Sequence, residues 1–310
     1  NLMTLLEQTP GRFVKLQNGE FLALTQDLQK RLQDLNKYTD NGKFHPLASP
    51  VLDELTQDMD ITSSQPWKKQ IKKLKQAYTL TPEVPSTLQA NLRDYQLEGF
   101  QWLSRLAHWG AGACLADDMG LGKTLQSLAL ILTRASKGPT LVLAPTSVCF
   151  NWQDEALKFT PTLNVHLLGS SDRQALLANA GPFDVIVCSY GLLQTEAEGL
   201  QAIQWRTLIA DEAQALKNPQ TKRSKAAMLL NADFKMVATG TPIENHLGEL
   251  WNLFNFINPG LLGSLETFND RFANPIQNQQ DRNVGLQLKQ LIQPFILRRL
   301  KSEVLTELPS

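Results

Sequence analysis

Two short segments of this chain combine residue types that together handle the phosphates of a nucleotide. The first, Asp117–Thr124, reads DDMGLGKT. Gly120 and Gly122 permit a tight turn whose backbone N–H groups face an anion, with Asp118, Met119 and Leu121 completing the loop. Lys123 adds a positive charge for the outer phosphates and Thr124 a hydroxyl for Mg²⁺, while the helix opening there points its positive end at the ligand. The second segment, Thr207–Gln214, reads TLIADEAQ. Its apolar run ends in Asp211, a hard oxygen ligand for Mg²⁺, and Glu212, a carboxylate suited to polarising an attacking water. Lys123, Asp211 and Glu212 are therefore the candidate catalytic set, with Thr124 and Asp211 as the candidate Mg²⁺ ligands. One position departs from the general phosphate-loop pattern: Asp117 stands where that pattern has its first glycine.

These segments need a scaffold that brings strand ends together. The apolar run Ala113–Ala116 precedes the glycine loop, and Leu125, Leu128 and Leu132 follow at helical spacing. From Leu92 onward strand and helix patterns alternate. The strand candidates are Ala113–Ala116, Thr140–Ala144, Asn164–Leu168, Asp184–Cys188, Thr207–Ala210 and Lys235–Thr239. That alternation predicts an α/β fold with a mostly parallel sheet covered by helices on both faces. In such a sheet the loops at the carboxyl ends of the strands form the ligand edge, where both chemical segments fall. Residues 246–300 read as helices without strands.

Upstream, residues 1–82 form an accessory region rich in Gln, Lys and Asp. Arg12–Leu16 and Glu20–Leu24 predict a hairpin around the Asn18–Gly19 turn, and Leu28, Leu32 and Leu35 mark an amphipathic helix. A second helix over Trp67–Tyr78 sets Ile71, Leu74 and Tyr78 on one face. The segment TPEVPSTL, with Pro82 and Pro85, marks the boundary to a main domain over 83–310.

Composition narrows the classes. The chain has 310 residues, 42% of them hydrophobic, enough for a substantial core. Lys plus Arg equals Asp plus Glu at 30 each, so any nucleic-acid contact must be a local stripe and not a global basic coat. Cys114, Cys149 and Cys188 lie in or near apolar runs and read as buried reduced thiols, which suits a cytoplasm. His45, His108, His166 and His246 share no ligand spacing. No apolar run approaches the length of a membrane span, and no membrane partner is expected.

Further segments make a family visible. LVLAPTSVCFNW (141–152), DEAQ followed by LKNP, and TGTPIEN (239–245) join DDMGLGKT. LRDYQLEGFQWL from Leu92, GELWNLFNFINPGLLG from Gly248 and PFILRRLKSEVLTELP from Pro294 complete the set. Together they resemble the Swi/Snf-type ATPases, superfamily 2 translocases on double-stranded DNA, with spellings most like the bacterial branch. The resemblance covers residues 85–310. It implies a RecA-like first lobe that binds ATP and Mg²⁺, a helical protrusion near 246–300, and a second lobe, absent here, that supplies arginine fingers. The isolated lobe is expected to be nearly inactive. Duplex DNA and the second lobe are the implied partners, with RNA polymerase or another DNA-bound protein as a further candidate. Two other readings stay open: an RNA helicase lobe of the DEAD/DEAH type, and a non-enzymatic docking module.

The resemblance also implies individual roles. Gln96 matches the adenine-reading glutamine, since an amide donates and accepts at once, and Arg93 flanks the same base. Thr146, Ser147, Asn151 and Trp152 follow a strand end and are candidates for gripping a DNA phosphate. The same Thr146 or Ser147 would equally serve to cap the following helix. Thr239, Gly240 and Thr241 correspond to the motif that couples nucleotide state to DNA grip. Lys68, Lys69, Lys72, Lys73 and Lys75 form a basic helix face, either a phosphate-tracking stripe or a solvated surface. Arg298, Arg299 and Lys301, near the end, are further cations open to DNA or to the absent lobe, and the sequence assigns them no definite role.

Overall fold

The computed structural model describes residues 13–15, 19, 21–40, 43–59, 62–169, 172–240 and 247–304. Seven strands, numbered in chain order, build one sheet. They are β1 (Ala113–Leu115), β2 (Thr140–Ala144), β3 (Asn164–Leu167), β4 (Asp184–Ser189), β5 (Thr207–Ala210), β6 (Lys235–Ala238) and β7 (Ile296–Leu297). Their order across the sheet is β7-β1-β6-β5-β2-β4-β3, and every pairing is parallel. Strands β1, β2 and β5 are buried at every residue, which is why they read as unbroken apolar runs instead of alternating ones. This is the RecA-like α/β layering that the sequence predicts.

β7 corrects the reading of 246–300 as helical throughout. After a 3₁₀ turn at Gln293–Phe295, Ile296 and Leu297 pair with Cys114 and Leu115 as the edge strand. Two residues are too few to show a period of two.

The longer helices among the described residues are α1 (Gln26–Asn36), α2 (Ser49–Thr56), α3 (Gln65–Thr79), α4 (Asp94–Trp109), α5 (Lys123–Arg134), α6 (Thr146–Phe159), α7 (Leu247–Ile257) and α8 (Arg282–Ile292). The expected hairpin is present: Phe13–Lys15 pairs antiparallel with Phe21–Ala23, and Gly19 adopts φ 86°. α1 begins at Thr25, whose hydroxyl accepts from the Leu28 N–H, and it buries Leu32 and Leu35. On α3 the inward residues are Leu74 and Ala77, with Trp67 and Ile71 half-buried. Tyr78 lies on the same helical stripe as Ile71 and Leu74 but is 63% exposed, in the last turn of the helix. α2 and the hairpin Thr39–Asp40/Lys43–Phe44 carry no strong sequence signal and were not expected.

The accessory region is continuous with the main core. Leu35, Leu52, Leu74 and Ala77 belong to the same apolar cluster as the sheet. Tyr38 donates to Gln290 on α8 (3.0 Å), and His45 Nε2 lies 3.1 Å from the Pro259 carbonyl beyond α7. Burial lowers the His45 pKa. α7 also seats the start of β1, because Asn258 accepts from the Gly112 N–H (2.7 Å) and donates to its carbonyl (3.3 Å). A methyl group on Gly112 would sit 2.3 Å from the Ile257 carbonyl oxygen, so only glycine permits this approach.

Candidate nucleotide site

The strand order places the motifs side by side. β1 leads into the glycine loop, its neighbour β6 leads to Thr239–Gly240, and the next strand, β5, delivers Asp211–Glu212. β2, beside β5, leads to Thr146 and Ser147. All four loops therefore meet on the carboxyl edge of the sheet.

In the glycine loop, Gly120 and Gly122 adopt φ 86° and 77°, the left-handed region that side chains resist. Gly122 is also the residue preceding α5, and no side chain caps that helix. Its first N–H groups thus remain available to an anion, reinforced by the helix dipole. Lys123 Nζ folds across the loop, donating to the carbonyls of Asp117 (2.7 Å) and Asp118 (3.3 Å). Thr124, half-buried, sits in the first turn of α5. Gln96, 7% exposed, bridges two elements: it accepts from the Arg93 N–H (3.0 Å) and donates to the Leu121 carbonyl (3.3 Å). A β-carbon on Gly122 would lie 2.3 Å from Gln96 Nε2, so this amide rests directly on the loop. Arg93 itself is exposed at the start of α4.

Asp211 is 8% exposed, and burial raises its pKa above the usual 3.8. Three favourable partners offset part of that cost: the Trp152 indole N–H on Oδ2 (2.8 Å), the Glu212 N–H on Oδ1 (2.9 Å), and the charge of Lys123. The Asp211 carbonyl accepts from the Tyr190 hydroxyl (2.7 Å). Each carboxylate oxygen keeps lone-pair capacity. With the Thr124 hydroxyl this makes a hard, all-oxygen donor set that fits Mg²⁺. Glu212 adopts left-handed backbone angles (φ 48°), which are costly for a non-glycine residue and turn its half-buried side chain out of the strand direction. Its carboxylate accepts from Gln214 (2.7 Å), and Gln214 in turn accepts from the Thr239 hydroxyl (3.4 Å). A β-carbon on Gly240 would lie 3.8 Å from Lys123 Nζ, which closes the circuit from β6 back to the glycine loop.

The remaining candidates divide. Thr146, Ser147 and Asn151 are exposed on the first turns of α6. Neither hydroxyl caps the helix; the residue before it is Pro145, and the first backbone bond runs from Val148 N–H to Pro145 (2.8 Å). Trp152 does not join them at the surface. It is 2% exposed with its N–H on Asp211, because helical geometry turns it inward. Thr239 is likewise buried, at 1%, while Gly240 is partly exposed. Thr241 lies outside the described residues. Sequence reasoning missed Gln126, Tyr190 and Gln214, which act as hydrogen-bonding supports, and it misplaced Arg299, which is paired with Asp117. The signal for the last was the missing glycine at 117. Among the described residues no group of three or more His, Cys, Asp or Glu could hold a metal, and no helix is long and apolar enough to cross a membrane.

Comparison with known proteins agrees with this geometry. The family model described as the SNF2-related domain matches residues 95–310. YwqA of Bacillus subtilis (strain 168), named as an ATP-dependent helicase/translocase, is 36% identical over 94% of this chain and 34% of its own length. The ISWI chromatin-remodeling complex ATPase CHR11 of Arabidopsis thaliana is 42% identical over 73% of this chain and 22% of its own. The Sulfolobus solfataricus SWI2/SNF2 ATPase core, solved in complex with double-stranded DNA, superposes with a TM-score of 0.68 at 41% identity, covering 74% of this chain and 49% of that one. The chain thus spans about a third of YwqA and half of the Sulfolobus core. Since the family model covers residues 95–310, well over half of its length, the chain belongs to the SNF2-related family.

Proposed function

We propose that this chain is the ATP-binding first lobe of a DNA-dependent ATPase that moves along double-stranded DNA. The observation that carries the reading is the convergence of Lys123, Gly240 and Asp211–Glu212 at one sheet edge, next to the exposed start of α6. Lys123 would leave the Asp117 and Asp118 carbonyls for the phosphates, a stronger charge-assisted partner. Thr124 and Asp211 would hold Mg²⁺, which neutralises charge on the phosphates during transfer. Glu212 would orient the attacking water, and Gln96 with Arg93 would bind the adenine. Thr146, Ser147 and Asn151 would contact a DNA phosphate. The path Glu212–Gln214–Thr239 would report the state of the nucleotide to Gly240 and Thr241.

A second RecA-like lobe would complete the site by supplying an arginine, a contribution worth roughly 10³ to 10⁵ in rate. The family resemblance supports duplex DNA over RNA as the track, and the Sulfolobus core was solved on double-stranded DNA. A cytoplasmic location is part of the same reading. The test is Glu212→Gln in a protein spanning both lobes. ATP binding should persist while hydrolysis falls by at least about 10²-fold, the scale of a lost general base. Hydrolysis at the wild-type rate would remove Glu212 from its role.

A further inference from the structure

Asp117 occupies the position of the phosphate loop's first glycine, and its carboxylate is completely buried. A buried carboxylate without compensation is costly enough to distort or unfold its surroundings. Here the compensation comes from Arg299, 182 residues downstream and itself only 12% exposed. Arg299 donates its backbone N–H and Nε to Asp117 Oδ1 (3.1 and 3.0 Å) and Nη2 to Oδ2 (2.5 Å). Nη2 also donates to Gln126 (2.9 Å), Nη1 donates to the Tyr95 carbonyl, and the guanidinium lies 5.3 Å from the Tyr95 ring centroid. Gln126 then donates to Asp117 and to the loop carbonyls of Leu121 and Gly122 (3.4–3.5 Å).

The backbone repeats this connection. Ala116 N–H donates to Leu297, Asp118 N–H donates to Arg299, and Lys301 N–H donates to the Asp118 carboxylate. Gly99 on α4 makes room for it: a β-carbon there would lie 1.8 Å from Gln126 Oε1 and 2.8 Å from Arg299 Nη2.

We infer that Arg299 is a positioning residue for nucleotide binding, which sets the phosphate loop by clamping Asp117. The carbonyls of Asp117 and Asp118 are the groups that hold Lys123, so the clamp fixes the platform from which that lysine reaches a phosphate. Because Leu297–Lys301 continues directly from β7, a displacement of this segment pulls on the loop. The inference deepens the ATP-site reading and rests on it.

The experiment uses this chain as wild type, Arg299→Ala, Arg299→Lys, Asp117→Asn and the Asp117→Asn/Arg299→Ala double variant. One arm measures affinity for a fluorescent ATP analogue with Mg²⁺, counted per folded molecule by circular dichroism, with Lys123→Ala as the control for binding at this site. Arg299→Ala should weaken binding roughly 10- to 100-fold, the range for groups that orient a ligand-bearing residue. Arg299→Lys should recover only part of this, because an ammonium cannot reproduce the bidentate fork. The double variant should be no worse than Arg299→Ala alone, since both remove one interaction.

A second arm follows amide hydrogen exchange over residues 118–122 without nucleotide, which must quicken in Arg299→Lys and Asp117→Asn. Wild-type affinity per folded molecule in Arg299→Ala, multiplicative losses in the double variant, or unchanged loop exchange would each overturn the inference. A wild-type chain that binds no nucleotide would instead defeat the ATP-site reading, and the exchange arm would still decide the clamp.

Discussion

At the scale of single residues, Asp211 carries the sharpest electrostatic conflict in the site. Burial favours its protonated form, whereas Mg²⁺ requires the carboxylate. Because its pKa is raised by folding, Asp211 adds to stability below its unfolded value, and that contribution is lost as pH rises through the folded one. Metal-dependent binding has the opposite sense. Affinity for the Mg²⁺–nucleotide complex should therefore begin to fall, on acidification, at a pH above the ordinary aspartate value of 3.8. Trp152→Phe keeps an aromatic side chain but deletes the indole N–H and the pyrrole half of the ring, so it should push that midpoint higher still and, through the lost bond and the space left behind, cost at least about 1–3 kcal/mol in denaturant unfolding. An unchanged midpoint in the variant would mean that the indole bond does not tune Asp211. The three cysteines are buried, with Cys114 and Cys188 pushed up to about 12 by desolvation. A thiol reagent at neutral pH should accordingly modify them only after unfolding; rapid labelling of the native chain would contradict their burial.

At the scale of elements, legibility followed burial. Strands buried along most of their length appear as apolar runs, so β1, β2, β4, β5 and β6 could be read with ends right to about a residue. The chemical residues at those ends were legible for the same reason. What could not be read depends on contacts between distant segments. β7 is defined by its pairing with β1, Trp152 by its bond to Asp211, and Arg299 by the vacancy at the loop's missing glycine. A sequence shows that Asp117 is unusual but not which cation answers it. Gly112 was likewise silent, since its requirement comes from the Ile257 carbonyl across the α7 contact. Gly112→Ala should therefore destabilise the domain by about 1–3 kcal/mol through overpacking, visible in chemical denaturation. A variant as stable as wild type would show that α7 does not press on β1.

At the scale of the molecule, the two edges of the sheet have different company. The carboxyl edge gathers the nucleotide loops and the exposed start of α6. At the amino edge, Lys73 of α3 lies close to Gly110, just before β1, with its ammonium 3.3 Å from where a side chain would begin. That placement favours a solvated face for the α3 lysines over a share in a DNA track on the opposite edge. The described part of the accessory region contacts α8 through Tyr38 and the turn after α7 through His45, and it shares the domain's core. It is separable by composition and not by packing. In the proposed motor, the site assembled on this lobe would be completed by a second. The most direct test compares ATP hydrolysis by this chain with that of a protein extended through the second lobe, each with and without double-stranded DNA. Turnover is expected only in the extended protein, stimulated by duplex DNA. Equal hydrolysis by the single lobe, or none in the extended protein with any nucleic acid, would contradict it.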